Sequence, residues 1–511
     1  MIDIYFELKN LVDYAVRKEL IDEEDRVYAM NGLLEVLGED YLVESPEETR
    51  EEPVEDILNR IRIWAVENGK VENDSNDLLD LLDTRIMGVF VSKPSEFRRR
   101  FQLKYEESPK AATDFYYSFA KHTNYIREQR VEKDVKWTYE SPYGPLDMTI
   151  NLSKPEKDPR AIALASKGIF EGQEKYPKCL LCKENEGYAG RIDHPARQNH
   201  RIIPVTLGGE SWYMQYSPYV YYNEHCIVFK GDHDPMKITP LTIRRLLDFV
   251  KQYPHYIIGS NADLPIVGGS ILTHDHFQGG NYDFAMAKAK EYDEVDLDRL
   301  GIKACKVLWP MSVIRLKGED TDKLVEASAI LMDVWKNYSD PSVGILSHTK
   351  EEEHNTITPI TRFRDGLYEV DLILRNNRKD EDHPFGIFHS HDQYHHIKRE
   401  NIGLIECMGL AVLPSRLRTE MGEMKNLILN NRLDEIFASE SLRKHGEFAK
   451  KIMEENPGAE ASQLEETIYT EIGKVFMNVL ENCGVFKADD EGKNAFEKCV
   501  EVMYERIQGK V

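Results

Sequence analysis

The chain contains no stretch of about 18 or more apolar residues, the length a helix needs to cross the hydrocarbon of a bilayer. Its first residues, MIDIYFELKNLVDYAVRKEL, are studded with charge and lack the apolar centre of a secretion signal. No membrane partner is expected, and the expected location is cytoplasmic. Cysteine is scarce: seven residues (Cys179, Cys182, Cys226, Cys305, Cys407, Cys483, Cys499), an odd number in a long chain without a secretion signal, which argues against a disulfide framework and predicts buried thiols for most of them. Positive charge is also in deficit. With 66 Lys and Arg against 90 Asp and Glu, the net charge of −24 argues against a nucleic-acid partner, because neutralising a phosphate backbone needs a basic face. An anionic ligand would need a local pocket that overcomes this global field.

At 511 residues the chain is too long for one ordinary core and points to about two to four domains. The first part reads as helical. Leu8, Leu11, Val12, Ala15 and Val16 fall on one helical stripe, and Val54, Ile57, Leu58, Ile61 and Ala65 repeat it. Its FRRRF run, Arg98 to Arg100, could bind phosphate but reads first as a solvated face. From about residue 137 the texture changes to short aromatic and β-branched runs broken by Pro, Gly and Asn, as in WTYESPYGPLDMTINLSKPEKDP and SWYMQYSPYVYYNEHCIVFKGDHDP; these predict antiparallel strands. A helical pattern, ITPLTIRRLLDFVKQY, stands between them, so the expected class is α+β rather than regular βαβ alternation. A second block of similar texture runs from VLWPMSVIRL to IGLIECMGLAVLP, with no sequence repeat relating the two. After Pro414 the chain is again helical, with Leu464, Ile468, Ile472, Val475, Phe476 and Val479 on one stripe.

Two short stretches carry chemistry. KCLLCKEN places Cys179 and Cys182 at C-x-x-C spacing, a metal half-site or a redox pair. A metal needs two more ligands, and His225, His233, His274 and His276 are the downstream candidates. Two thiolates with two imidazoles would close a tetrahedral zinc site with no open position, hence a structural one.

The second stretch is GGSILTHDHFQGG. On a strand, His274, His276 and Gln278 project to one face. An imidazole bound to a metal has no lone pair left for attack, so if His274 is a ligand, His276 is the available nucleophile. A neutral imidazole attacking phosphorus gives a phospho-imidazole that a second acceptor can collect. Gln278 can donate to a phosphate oxygen as charge builds, and Gly268 and Gly269 let backbone N–H groups approach a diphosphate. A rival lies in HPFGIFHSHDQYHHIK, which packs His383, His389, His391, His395 and His396 together and repeats the H-x-H-x-Q spacing. It lacks a flanking glycine pair and a nearby C-x-x-C, and reads as a substrate-side or dimer-contact loop.

Taken together, these residues resemble the histidine-triad superfamily and, within it, the galactose-1-phosphate uridylyltransferases. VYYNEHCIVFKGDH is similar to that family's strand-turn-histidine passage, HDHFQ resembles its H-P-H-x-Q signature, and the order of the motifs matches. The resemblance implies zinc on Cys179, Cys182, His233 and His274, with His276 as the uridylylated nucleophile supported by Gln278. It further implies phosphate contacts from Asn261 and Ser270 and a sugar contact from Glu406. Asp275 stands where proline is usual, and helical additions lie at both ends, which resembles the second, bacterial class. HNTITPIT stands near the place of a second metal in the first class, so that metal is not carried over.

The expected architecture is α+β: a helical N-terminal region (1–135), a first histidine-triad-like unit with zinc site and nucleophile (136–300), a second such unit (301–414) and a helical C-terminal region (415–511). The implied activity is exchange of UMP between UDP-glucose and galactose 1-phosphate through a uridylyl-histidine, giving UDP-galactose, with a homodimer as the assembly considered. Two alternatives stand beside it: a nucleotide hydrolase or phosphorylase of the same superfamily, and a non-catalytic zinc-stabilised sugar-nucleotide binder. Hydrolases commonly place a third histidine where this chain has Gln278, and glutamine cannot shuttle a proton to activate water.

Overall fold

The computed structural model describes residues 2–43, 45, 48–153, 176–269 and 271–509. The two stripes near the N-terminus become helices Ile4–Arg17 and Val54–Glu67. Asp3 caps the first, its carboxylate accepting from the N–H groups of Tyr5 and Phe6 at 3.1 and 3.2 Å, which satisfies donors a helix start leaves free. Leu8, Leu11, Ile57, Leu58 and Ile61 are fully buried in one core with the first strands of the large sheet, so this region is packed against the rest of the chain.

The strand-rich middle forms two main sheets. Strands β1 (Val135–Ser141) and β2 (Gly144–Ile150) make a hairpin that takes β15 (Leu410–Leu413) in parallel at its edge. The large sheet has ten strands in two halves. The first half holds β3 (Ile203–Leu207), β4 (Glu210–Tyr216), β5 (Cys226–Lys230), β6 (Ile257–Gly259) and β7 (His276–Gly280). The second holds β8 (Glu291–Leu297), β9 (Ile302–Val307), β10 (Val313–Gly318), β13 (Asn355–Arg364) and β14 (Leu367–Asn376), with the short ribbon β11 (His348–Thr349) and β12 (Glu352–Glu353) beside it.

The halves share one topology, although no sequence repeat relates them. Each lays down three antiparallel strands, crosses by a helix (Pro240–Gln252 or Thr321–Asn337) and returns two strands, the last inserted between the third and fourth. The halves meet edge to edge where Gly259 pairs with Ile360 and Ile258 with Thr361. Glycine is required at this seam: a Cβ at Gly259 would lie 2.8 Å from the Pro359 carbonyl oxygen. The two crossing helices pack on each other.

The C-terminal stripe becomes helix Ala461–Cys483, whose buried face covers the small sheet. Gly473 lets it approach within contact of the Tyr139 ring, and the Trp137 indole donates to the Tyr469 carbonyl at 3.2 Å. The last helix, Asp490–Gln508, packs on the second half of the large sheet. The chain is therefore α+β, with antiparallel pairing through the large sheet and helical regions at both ends. None of its helices among the described residues is long and apolar enough to cross a membrane.

Candidate active site

Cys179 and Cys182 sit in a tight knuckle ahead of β3, and Asn185 fixes it by donating to both their carbonyl oxygens at 2.9 and 2.7 Å. The knuckle meets the ends of β5 and β7. Cys179 Sγ lies 3.2 Å from His274 Nδ1, Cys182 Sγ 3.2 Å from His233 Nδ1, and the two sulfurs are 3.6 Å apart. The four ligand atoms lie within 4.8 Å of one another, and the sulfur–sulfur and sulfur–nitrogen contacts of 3.6 and 3.2 Å are close to the edges of about 3.5–3.8 Å around one tetrahedral ion with Zn–S near 2.3 Å and Zn–N near 2.0 Å. His274 Nε2–H donates to the Lys230 carbonyl at 2.9 Å, which turns the Nδ1 lone pair towards the thiols. The donor set therefore fits a closed metal site, and it selects His233 and His274 from the four histidines that spacing alone had left open.

His276 is the first residue of β7, opposite Phe229 on β5. The expected continuous strand is shorter than GGSILTHDHFQGG: His274 and Asp275 precede it. There the Asp275 N–H donates to the Asp234 carbonyl at 2.7 Å and its carbonyl accepts from Lys230 N–H at 2.9 Å, so this approach is held by the loop carrying His233. His276 and Gln278 line a cavity of about 870 Å³, which His274 does not reach. His276 Nδ1–H donates to the His274 carbonyl at 2.8 Å, leaving Nε2 as the lone-pair nitrogen. Burial pushes its pKa down to about 4, so the ring is neutral at neutral pH. Gln278 Oε1 pairs with His225 Nε2 at 3.0 Å.

The cavity is walled by the first half of the large sheet, by the N-terminal helices and by the segment from Lys398 to Val412. Asn261, Gly268 and Gly269 line it, from the loop that follows β6. Gly269 packs so closely on Asn261 that a Cβ would stand 2.7 Å from its amide nitrogen. Asn261 Oδ1 accepts from the Leu404 N–H at 2.8 Å, tying this loop to the second half of the chain. Glu406 also lines the wall, but both its oxygens are engaged: Oε1 accepts from Lys398 Nζ at 2.9 Å and Oε2 from the Gly403 N–H at 3.2 Å. Ser270 lies outside the described residues.

Five contributors carry no signal in the sequence. Lys398 is 3% exposed, yet its ammonium lies on the cavity wall against Glu406 and the Val412 carbonyl. Arg197 lines the opposite wall, over the Tyr125 ring at 5.4 Å. Asn124, Arg127 and Arg130 come from the N-terminal helical region, which thus helps build the site as well as the scaffold. Carboxylates stand beside most of these cations, Asp80 against Arg127 and Arg130 and Glu406 against Lys398, so the wall offers an anionic ligand individual cationic groups rather than a uniformly positive surface.

The FRRRF arginines are occupied elsewhere. Arg98 pairs with Glu186 at 2.7 Å, Arg99 with Glu96 at 2.5 Å, and Arg100 reaches the Glu19 carbonyl. The rival histidines mostly hold backbone: His391 pairs with the Ile387 carbonyl at 3.1 Å and His395 with that of Ser390 at 2.9 Å. His389 reaches Asn401, which donates to the Gly268 carbonyl, so the cluster buttresses the cavity loop.

Residues 19–235 match the family described as galactose-1-phosphate uridyl transferase, N-terminal domain, and residues 249–442 match its C-terminal domain. The chain is 48% identical over 503 residues to the galactose-1-phosphate uridylyltransferase of Bacillus subtilis (strain 168), covering 97% of this chain and 96% of that one. It is 49% identical over 505 residues to that of Halalkalibacterium halodurans, covering 98% and 99%. Among solved structures, yeast Ap4A phosphorylase is a distant likeness, with a TM-score of 0.33 and 10% identity over 65% of this chain and 92% of that one. The sequence matches extend beyond the motif-bearing middle into both helical ends. The chain belongs to the galactose-1-phosphate uridylyltransferase family and is a nucleotidyltransferase.

Proposed function

We propose that this enzyme exchanges UMP between UDP-glucose and galactose 1-phosphate by ping-pong transfer through His276. The observation that carries the reading is the His276 ring itself: buried, neutral, fixed by its Nδ1–H on the His274 carbonyl, and lining a cavity large enough for a nucleotide sugar. Nε2 attacks the α-phosphorus of UDP-glucose. An N–P bond forms, the bond from phosphorus to the bridging oxygen breaks, and glucose 1-phosphate leaves with the electron pair. The phosphate oxygen of galactose 1-phosphate then attacks the same phosphorus, releasing UDP-galactose and the free imidazole. Gln278 donates to an oxygen on the reacting phosphorus, and the Asn261, Gly268 and Gly269 loop cradles the diphosphate.

Zinc is the metal that Cys179, Cys182, His233 and His274 would hold; bound there it cross-links the knuckle to the approach to β7. Ser270 and Glu406 are assigned to substrate, the latter through Lys398 and its remaining lone pairs. The division at 135, 300 and 414 separates a nucleophile-bearing unit from a second unit that lends the cavity its far wall, and the enzyme works in the cytoplasm, with a homodimer as the proposed assembly.

Intact-mass measurement after rapid mixing with UDP-glucose tests the reading. The expected result is one uridylyl adduct on the wild type and none on His276→Asn. An adduct surviving in the variant would place the nucleophile elsewhere, and no adduct on the wild type would remove ping-pong transfer.

A further inference from the structure

His225 stands one position ahead of β5 and is 2% exposed. Its ring is clamped between aromatic neighbours, stacked on Tyr221 at 5.3 Å and tilted against Tyr222 at 4.6 Å. Tyr222 is itself anchored, its hydroxyl donating to the Gly279 carbonyl at 3.0 Å. The ring therefore has little freedom, and its one polar contact among the described residues is Nε2 with Gln278 Oε1 at 3.0 Å. Nδ1 is enclosed and has no partner among the described residues.

This geometry decides the tautomer. A buried nitrogen left without a partner is tolerated better as a bare acceptor than as an orphaned N–H. Nδ1 is then the unprotonated nitrogen and Nε2 carries the proton, which it donates to Gln278 Oε1. The carboxamide can satisfy that donor in one orientation only. If Gln278 flipped, its NH2 group would face an N–H.

We infer that His225 is a positioning residue for uridylyl transfer: its Nε2–H fixes the Gln278 carboxamide so that the NH2 group, rather than the carbonyl, faces the phosphate on His276. A free glutamine would present an oxygen to a phosphate oxygen part of the time, repelling the charge that develops there. Burial keeps His225 neutral, with its pKa down to about 4, so the arrangement holds through the neutral range. The structure also separates His225 from the thiols, where sequence spacing had left it a candidate ligand.

The inference rests on the assignment of Gln278 to the transfer step, and substitutions at the two positions separate the claims. In His225→Gln the new NH2 falls near the Nε2 position and can still donate to Gln278; in His225→Asn it falls near Nδ1 and cannot. Single-turnover uridylylation by UDP-glucose should slow about 10-fold or more in His225→Asn, with KM changed less than about 2-fold, while His225→Gln stays within about 3-fold of wild type. In a Gln278→Ala background, His225→Asn should add nothing, since its route of action is gone. Thermal midpoints of all variants identify any that unfold. Equal losses in His225→Asn and His225→Gln, or the same fold-loss with and without Gln278, would overturn the inference. Gln278→Ala at the wild-type rate would instead overturn the role given to Gln278 itself.

Discussion

Arg245, on the crossing helix Pro240–Gln252, reaches Asp275 at 3.3 Å beneath the approach to the nucleophile. Both side chains are buried, and the guanidinium also lies 5.1 Å over the Trp212 ring, which stacks on Phe277 at 4.7 Å. His274 and His276 serve the metal group and the cavity, while Asp275 and Phe277 between them grip the helix and aromatic layer on the other side. The residue that replaces the family's usual proline thus has work of its own: it anchors the strand start from below, and its N–H holds the Asp234 carbonyl.

Replacing Asp275 should therefore affect stability and rate together. Asp275→Ala leaves Arg245 with Glu210 as its remaining carboxylate partner among the described residues; because burial raises the Asp275 carboxyl to about 6 and so offsets part of the pair's attraction, the loss by denaturant unfolding should be about 1 kcal/mol. The rate of His276 uridylylation should fall with it, because the ring is held through the His274 carbonyl one residue away. A variant as stable and fast as wild type would show that the pair anchors nothing.

About one zinc per chain is expected in freshly purified protein. Cys179→Ser should lose it, together with several kcal/mol of stability, because the metal joins segments far apart in the chain. Metal analysis and a melting curve check both parts. Stoichiometric zinc in the serine variant would contradict the ligand set.

Gly269→Ala places a methyl group 2.7 Å from the Asn261 amide nitrogen. The loop must shift, so KM for UDP-glucose should rise about 10-fold or more while the melting temperature moves little, since the contact lies in a loop at the cavity wall. Unchanged steady-state kinetics would remove the Asn261 loop from substrate binding.

Buried histidines set a pH limit on stability. Burial lowers His200 and His396 to about 3 and His194 and His225 to about 4. In the unfolded chain each titrates near its ordinary value of about 6.5. Between pH 6.5 and 4 the unfolded chain therefore binds protons that the folded one refuses, so this contribution is intact above pH 6.5 and is lost as pH falls towards 4. The melting temperature should drop between pH 7.5 and 5, and less steeply in His200→Gln. An identical slope in that variant would show that the buried imidazole is not responsible.

Much of this organisation was legible in the sequence because it depends on local periodicity. The stripes at Leu8 to Val16 and Leu464 to Val479 could only be buried as helices, and the alternating aromatic runs could only pair as strands. The order C-x-x-C, then H-x-H-x-Q, is enough by itself to point to the family. Periodicity does not report what lies across the fold. Tertiary structure decided that His233 joins Cys182 while His225 turns to Gln278, because those choices follow from the register of β5 against β7. Cys179 meets His274 across 95 residues, Asn261 meets Leu404 across 143, and Lys398 and the N-terminal arginines enter the cavity wall without any motif to announce them. That two units of related build stand in the middle of the chain was expected from their similar texture, but their shared strand order was not, since a sheet constrains which residues are buried and how strands pair but leaves their identities free.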